Sequence, residues 1–195
     1  MRVSTIFRVT LALAASVWGA AAASTQAIQL ADGTLVSFKK PPNLIDVTTT
    51  YKETSAWGAR YYFVLELPEN AGEPLERVTI NQRQGIEDIR FDLKKTQAFE
   101  GTPRHEGEKL TLKEVTIDAE TKTVSVTFDP PVMPGKTFTI ELRPVRNPDV
   151  DGVYLFGVTA FPAAEKPYGL YLGPGRLHFY RDGGDFGFLR FHRRR

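Results

Sequence analysis

The sequence predicts an all-β protein that folds as a single-domain β-sandwich. Three observations predict this fold: segments in which apolar and polar residues alternate, two runs that are apolar throughout, and turn-forming residues between them. The chain of 195 residues contains 16 glycines and 13 prolines, which suits many short strands joined by turns. We expect at most one or two short helices.

Five alternating segments predict strands with one buried face and one solvent-facing side. The alternation changes phase between Leu112 and Val115, which predicts a bulge or a break there. The five segments are Val78–Ile80, Ile89–Leu93, Leu110–Leu112, Val124–Phe128 and Phe138–Leu142.

The two apolar runs are Tyr61–Leu65 and Val153–Val158, and they predict central strands that are covered on both faces. Between Ile117 and Val124, the polar stretch Asp118–Lys122 predicts a hairpin. The segment from Gln82 to Ile89 is a candidate for one short helical turn. Proline- and glycine-rich turns separate the strands, which favours a sandwich of immunoglobulin-like or Greek-key style. These turns are Pro41–Asn43, Pro68–Gly72, Asp129–Pro131, Pro134–Gly135, Asn147–Gly152 and Gly173–Gly175.

The N-terminus has the pattern of a cleaved secretory signal peptide. Arg2 and Arg8 carry the only charges up to Ala31, and an apolar run from Val9 ends in three alanines, Ala21–Ala23. Fifteen residues at ~1.5 Å each are too short to cross a ~30 Å hydrocarbon core, which disfavours a retained anchor. We expect cleavage after Ala23 or Ala27. The predicted parts are therefore a signal peptide (1–27), a β-sandwich domain (28–180) and a basic aromatic tail (181–195).

Composition excludes several function classes. The chain has no cysteine, so disulfides, thiolate metal sites and thiol catalysis are ruled out together. Residues 28–175 hold 17 basic and 21 acidic side chains, and residues 176–195 hold 6 arginines and 2 aspartates. A slightly acidic body with a basic tail lacks the broad positive face of a nucleic-acid binder, so no nucleic-acid partner is expected.

Several stretches resemble a known family. Phe128–Val132, Leu142–Pro148 and Gly152–Pro162, together with Ile28–Gly33 and Arg176–Tyr180, are similar to a family of exported cyanobacterial proteins catalogued as domain of unknown function number twenty-eight hundred and eight. The resemblance implies export to a bacterial envelope or lumenal compartment. It brings no established catalytic residues, so none is transferred to this chain.

Two catalytic motifs fail on inspection. Gly135-Lys136-Thr137 would end a phosphate-binding loop, but Pro130 stands where that motif requires glycine, so a tight turn is the better interpretation. Serine-hydrolase chemistry needs serine, histidine and an acid within reach. His105 lies in a polar loop predicted over Thr102–Glu108, and His178 lies in a predicted strand. No cofactor is predicted.

Two groups of residues are candidates for ligand binding. Exposed aromatic rings can stack on sugars, which gives a speculative platform of Trp57, Tyr61, Tyr62, Tyr168 and Tyr171. The alternative, which we favour, is that these rings fill the sandwich core. Aspartates in flexible loops offer oxygen ligands for calcium, although they complete no EF-hand pattern and are also common in turns. These are Asp149, Asp151, Asp182 and Asp185.

The tail combines apolar residues with clustered arginine, which suits an anionic lipid surface or an acidic polysaccharide. A solvated terminus or a final edge strand is the alternative. The residues concerned are Phe186, Phe188, Arg190, Phe191, Arg193, Arg194 and Arg195.

The pattern as a whole favours an exported, non-enzymatic β-sandwich protein that binds or supports an envelope component, in the periplasm, the thylakoid lumen or outside the cell. One alternative is an envelope hydrolase acting on glycan or ester bonds, which would need convergent ionisable groups that include His105 or His178. The other is a peripheral membrane-surface protein that uses its tail.

Overall fold

The structure is a computed structural model that describes residues 35–181. Within this range the chain forms ten strands and one 3-10 turn, Leu93–Lys95. The strands are β1 (Asn43–Thr49), β2 (Tyr61–Leu67), β3 (Leu75–Gln84), β4 (Gln97–Thr102), β5 (His105–Leu110), β6 (Leu112–Asp118), β7 (Thr123–Val132), β8 (Lys136–Leu142), β9 (Gly152–Pro162) and β10 (Leu170–Phe179).

The strands form two five-stranded sheets. Sheet 1 has the order β1-β2-β8-β4-β5, and sheet 2 has the order β10-β9-β3-β7-β6. All neighbouring strands pair antiparallel. The predicted all-β sandwich with one short helical element is confirmed.

The core lies between the two sheets, where aromatic rings from both meet edge to face. Phe63 on β2 packs against Phe156 on β9 with ring centroids 5.8 Å apart, and Phe128 packs against Phe138 at 5.6 Å. Such T-shaped pairs stabilise a core beyond the area they bury. Since the chain has no cysteine, this packing is what joins the sheets.

Two features of the sheet 2 strands agree with the sequence pattern. The β6–β7 hairpin turns where Asp118 accepts hydrogen bonds from the amides of Glu120 and Thr121. These bonds hold the pKa of Asp118 below its usual range. The phase change after Leu112 is a register shift between Leu112 and Glu114.

The prediction of a strand over Ile89–Leu93 is wrong. Phe91 forms only an isolated bridge to Pro144, and the chain then makes the 3-10 turn. The alternating apolar residues lie in a segment that crosses one end of the sandwich. From there Ile89, Phe91 and Leu93 pack on the core. The short helical turn considered over Gln82–Ile89 is also absent, because β3 continues to Gln84.

The solvent-facing side predicted for Phe138–Leu142 is buried instead. Thr139 and Glu141 point away from the core on β8, yet they are 0% and 3% exposed. The Thr139 hydroxyl donates to Gly101 O at 2.7 Å, so the β4–β5 hairpin bends over this face. The prediction of a polar loop over Thr102–Glu108 is also wrong, because β4 ends at Thr102 and His105 begins β5.

The prediction that Val153–Val158 is covered on both faces is wrong as well. The inward residues of β9 are buried, whereas Val153 and Leu155 on the outer side are only half-buried. No further layer within residues 35–181 covers that side of sheet 2.

Three connections meet at one end of the sandwich, which we call the loop end. They are residues 50–60 between β1 and β2, residues 85–96 between β3 and β4, and residues 143–151 between β8 and β9. The last described residues, after β10, reach the same end, since Phe179 pairs with Gly152. No helix within residues 35–181 has the length and apolarity needed to span a bilayer.

Candidate functional site

Large apolar side chains are exposed together at the loop end. Trp57 is 70% exposed and Ile86 is 74% exposed, and Tyr51, Val145 and Tyr180 are also exposed there. Exposed apolar groups that cluster on neighbouring loops are typical of an interaction surface. The residues that hold these loops in place form the base of the candidate site.

A fully buried polar side chain, Asn147, holds the base of the site. Its amide nitrogen donates to Tyr51 O at 3.0 Å and to Glu53 O at 2.9 Å, and its Oδ1 accepts from the Tyr61 hydroxyl at 2.9 Å. Its backbone amide donates to Ala56 O at 2.9 Å. One residue of the β8–β9 connection therefore fixes the β1–β2 connection by three hydrogen bonds and the start of β2 by a fourth.

Further contacts fix the same two connections nearer the surface. The Ser55 hydroxyl donates to Asp149 Oδ1 at 2.6 Å, and Arg146 Nη2 contacts Asp149 Oδ2 at 2.5 Å. Trp57 pairs with Arg146 in an isolated antiparallel bridge. Ser55 adopts a left-handed φ of 57° and Gly58 one of 75°, so the loop turns sharply on both sides of Trp57. The indole is exposed, but the backbone that carries it is held in place.

A cleft of about 520 Å³ opens beside Trp57. Three charged side chains face it along with apolar groups. Its lining residues are Trp57, Gly58, Ala59, Asp92, Lys95, Arg143, Pro144 and Val145.

The charges in this cleft are fixed by ion pairs. Lys95 Nζ lies 2.9 Å from Asp92 Oδ2, and its hydrogen bond holds the pKa of Asp92 below its usual range. Arg143 Nε lies 2.7 Å from Oε1 of the buried Glu141, and Arg60 lies 3.7 Å from the same oxygen. A flat ring bounded by a carboxylate, an ammonium and a guanidinium can stack on one face of a ligand and hydrogen-bond to its hydroxyls.

A second cleft of about 370 Å³ shares the Val145 wall with the first. It includes Ile86, Arg90 and two carboxylates. Glu87 accepts from the Asp149 amide at 2.9 Å, and Asp88 pairs with Lys122. Both acids are thus engaged by the protein itself.

The structure splits the predicted aromatic platform. Including Tyr61 in it was wrong: Tyr61 is 0% exposed and packs among Phe91, Phe156 and Phe179. Burial raises the pKa of its hydroxyl. Tyr62 is buried too. For Tyr61 the favoured alternative, that the ring fills the sandwich core, is correct, whereas Tyr62 is buried outside the core cluster.

The remaining three aromatic residues do not form one surface. Trp57 lies at the loop end, where β9 begins. Tyr171 pairs with Thr159 near the other end of β9, and Tyr168 lies in the β9–β10 connection. Both tyrosines are exposed, but the length of the sheet separates them from Trp57.

The calcium candidates that the structure describes have other partners. Asp149 is held by Ser55 and Arg146, and Asp151 lies 3.2 Å from Arg181. Within residues 35–181 no three His, Asp or Glu side chains are grouped to hold a metal ion. Asp182 and Asp185 lie outside the described residues, as do the signal peptide and the tail candidates Phe186, Phe188, Arg190, Phe191, Arg193, Arg194 and Arg195.

The hydrolase alternative needs His105 or His178 beside a cleft, and the structure places the two histidines on different sheets. His105 is exposed on edge strand β5 of sheet 1. His178 lies on edge strand β10 of sheet 2, where its Nδ1 is 2.8 Å from the Tyr180 hydroxyl. Neither lines the clefts beside Val145.

Sequence reasoning missed Asn147, Arg143 and Val145. The sequence predicts a turn at Asn147, which precedes proline, and no local signal shows that this asparagine is buried. Tyr61 does indicate that a buried polar partner exists, because a tyrosine that starts an apolar strand needs a partner for its hydroxyl once it is buried.

Comparison with protein families gives one match. The family described as "Protein of unknown function (DUF2808)" matches residues 35–179, which is nearly the whole described range. None of the curated proteins matches the chain.

Solved structures with similar folds include three domains of bacterial proteins. The collagen-binding domain from a Staphylococcus aureus adhesin is 11% identical with a TM-score of 0.38, over 70% of this chain and 98% of that one. The C-terminal domain of the Streptococcus pyogenes antigen I/II-family protein AspA is 13% identical with a TM-score of 0.39, over 69% and 46%. A cohesin module from a Clostridium perfringens family 33 glycoside hydrolase is 10% identical with a TM-score of 0.33, over 72% and 99%. Likenesses this distant carry no inference about a ligand.

Proposed function

The chain belongs to the DUF2808 family, and from that premise we propose that it is an exported, non-enzymatic protein that binds an envelope polysaccharide at its loop end. The observation that carries the proposal is Trp57. Its indole is 70% exposed on a backbone that Asn147 and Ser55 hold in place. A loop backbone held in advance loses little conformational entropy on binding.

The cleft beside Trp57 suits sugar rings. The indole supplies a flat apolar face, and Asp92, Lys95 and Arg143 supply acceptors and donors at its edge. Because Lys95 and Glu141 already fix these groups, they are oriented before the ligand arrives. The expected binding mode is one stacked ring with hydrogen bonds to its hydroxyls.

The chemistry of the cleft favours binding over hydrolysis. Glycoside hydrolysis needs two carboxyl groups, one of which stays protonated to act as the acid. Among residues 35–181, Asp92 is the one carboxylate that lines this cleft, and the hydrogen bond from Lys95 holds its pKa below its usual range, so at neutral pH it is an anion. Acting as a general acid would require the opposite shift.

Binding is tested with Trp57→Ala on the purified protein. Pull-down would be measured for both wild type and variant against peptidoglycan sacculi and purified envelope polysaccharides. We expect wild-type binding to at least one preparation and a loss of about tenfold or more in Trp57→Ala, in line with ~1–3 kcal/mol for a stacked aromatic ring.

The matched control is Tyr168→Ala, which removes an aromatic residue of similar exposure from the opposite end. It should bind as wild type. Equal binding by wild type and Trp57→Ala, or no binding to any preparation, would reject the proposal.

Export is tested separately by fractionating the cells that produce the protein. N-terminal sequencing of protein from the extracytoplasmic fraction should begin after Ala23 or Ala27. Protein that carries the intact leader and stays in the cytosol would contradict export.

A second candidate function is attachment to an anionic membrane surface through residues 186–195. The observation that favours it is the position of Arg181, the last described residue, at the same end as Trp57 and Ile86. Arginines near such a surface contribute ~1 kcal/mol each. Deleting residues 186–195 should abolish sedimentation with vesicles of phosphatidylglycerol, and unchanged sedimentation would dismiss this candidate.

A further inference from the structure

The outer side of sheet 2 is a second surface with its own pattern, distinct from the loop end. Strand register places one row of hydroxyl-bearing residues straight across all five strands. The row is Thr116 on β6, Ser125 on β7, Thr79 on β3, Thr159 on β9 and Tyr171 on β10. Neighbouring strands lie ~4.8 Å apart, so the hydroxyls form a regular polar strip.

Arginines flank this row on the half of the sheet made by β3, β9 and β10. They are Arg77, Arg83 and Arg176. None of the three pairs with a carboxylate of residues 35–181, although seven other basic side chains in that range do. Strands β9 and β10 contain no acidic residue. Strand β3 contributes one acidic residue, Glu76, for which no ion pair is formed within residues 35–181, so the three arginines leave this half of the sheet with a net positive charge.

Two of these arginines are stacked on aromatic rings. The guanidinium carbon of Arg77 lies 4.2 Å from the ring centre of Phe161, and that of Arg83 lies 4.5 Å from the ring centre of Tyr171. Arg77 Nε is buried without a hydrogen-bond partner in the described part of the chain. Stacking holds each guanidinium in a defined plane, which favours forked hydrogen bonds to a carboxylate or sulfate.

Two glycines, one on β9 and one just before β10, make room for the stacks. A Cβ at Gly157 would lie 2.5 Å from Arg83 Nε and 3.1 Å from the Tyr171 ring. A Cβ at Gly169 would collide with the Phe161 ring. The side chains of both pairs therefore lie low over the sheet, and the surface stays open to an extended ligand.

We propose that this outer face of sheet 2 binds an acidic polysaccharide. Stacked guanidinium groups take the carboxylates or sulfates of the polymer, and the hydroxyl row between them hydrogen-bonds to its sugars. The arginines are spread over the β9 positions Phe161 to Leu155, which is ~20 Å at 3.3 Å per residue. A compact anion would occupy one arginine, whereas a linear polyanion engages all three.

Binding is tested with polygalacturonate and dextran sulfate as polyanions and with unmodified dextran as the neutral polymer. Affinity electrophoresis of the full chain should show retardation by both polyanions, weaker at high salt, and none by dextran. The double variant Arg77→Gln/Arg83→Gln should lose about tenfold or more in affinity, because two charge-assisted contacts disappear. Gly157→Ala keeps every charge but displaces one stack, and should give a smaller loss.

Three control variants locate the effect. Lys109→Gln/Lys113→Gln removes two charges on edge strands β5 and β6 and should bind as wild type. Trp57→Ala should keep polyanion binding, since the loop end is a different surface. A chain without residues 186–195 should keep the dependence on Arg77 and Arg83.

The proposal is overturned if the arginine double variant binds polyanions like wild type while it keeps the wild-type circular dichroism spectrum. It is also overturned if polyanion binding disappears with residues 186–195 alone, or if anionic lipid vesicles bind the face and the polyanions do not. Each of these results can occur with the Trp57 site intact, so failure here and failure of the proposed function are distinguishable.

Discussion

The loop end has a buried side and an exposed side built from the same connections. Tyr61 and Trp57 are four residues apart, yet Tyr61 is fully enclosed by core aromatics and Trp57 is mostly in solvent. On the buried side, Asn147 satisfies three polar groups at once. On the exposed side, the indole makes no hydrogen bond or ring contact with any residue between 35 and 181.

This difference separates two roles in one short stretch of chain. Groups on the buried side are satisfied internally, so their loss costs folding free energy. Groups on the exposed side contribute little to folding and remain free for a ligand. Mutations on the two sides should therefore affect different measurements.

The largest stability effect is expected for Asn147→Ala. The change removes three side-chain hydrogen bonds and leaves the Tyr61 hydroxyl without its acceptor. At ~1–3 kcal/mol for each unsatisfied buried group, we expect the unfolding free energy to fall by about 3 kcal/mol or more. Urea denaturation followed by circular dichroism measures it.

Asn43→Ala is the matched control for Asn147→Ala. It removes an exposed asparagine whose hydrogen bond to Glu66 lies at the surface, and should cost less than about 0.5 kcal/mol. Similar losses for the two variants would show that the buried side does not hold the loops.

Tyr61→Phe should have a smaller effect, about 1–2 kcal/mol, because it keeps the ring and leaves only Asn147 Oδ1 unsatisfied. Tyr168→Phe, at an exposed tyrosine, should change nothing measurable. If Tyr61→Phe is as stable as wild type, the hydroxyl contact is not contributing.

The same hydroxyl predicts a loss of stability at alkaline pH. Burial raises the pKa of Tyr61, so the folded state keeps the proton while the unfolded tyrosine ionises above its usual pKa of about 10. Stability is present below pH 10 and falls above it, by about 1.4 kcal/mol at pH 11 from this group. Urea midpoints at pH 8 and pH 11 should show a smaller fall in Tyr61→Phe than in wild type.

Trp57→Ala should have the smallest effect on folding, within about 0.5 kcal/mol of wild type by urea denaturation, since it removes a side chain that is mostly in water. The same variant should lose polysaccharide binding. A fall of several kcal/mol in the unfolding free energy would mean that the Trp57 side chain stabilises the fold, and it would remove the basis for a binding role.

The strands were largely predictable because their signal is local. Alternation in Val124–Phe128 and the turn after Asp118 depend on neighbours within a few residues. Ile89–Leu93 has the same alternation but crosses the end of the sandwich, where no strand is available to pair along it. The buried outer side of β8 was not predictable either, because it depends on the β4–β5 hairpin and on Arg60, which are distant in sequence.

The candidate site was only partly predictable. Trp57 could be singled out as the only tryptophan beyond the expected leader, but its exposure could not. Tertiary packing brings together Asn147, Arg143 and Val145. The local sequence pattern does not show which turn residue will be buried. The Arg77–Phe161 and Arg83–Tyr171 stacks depend on strand register, which the alternation alone leaves open.

The most direct test of the central claim is NMR mapping of the polysaccharide-bound protein. Indole N–H signals are few and separate from the backbone, and comparison with Trp57→Phe assigns the one from Trp57. The account predicts that adding the bound polysaccharide shifts the Trp57 indole and the amides around Val145 most strongly, with Tyr61 and Asn147 nearly unmoved. Shifts confined to residues away from the loop end would contradict it.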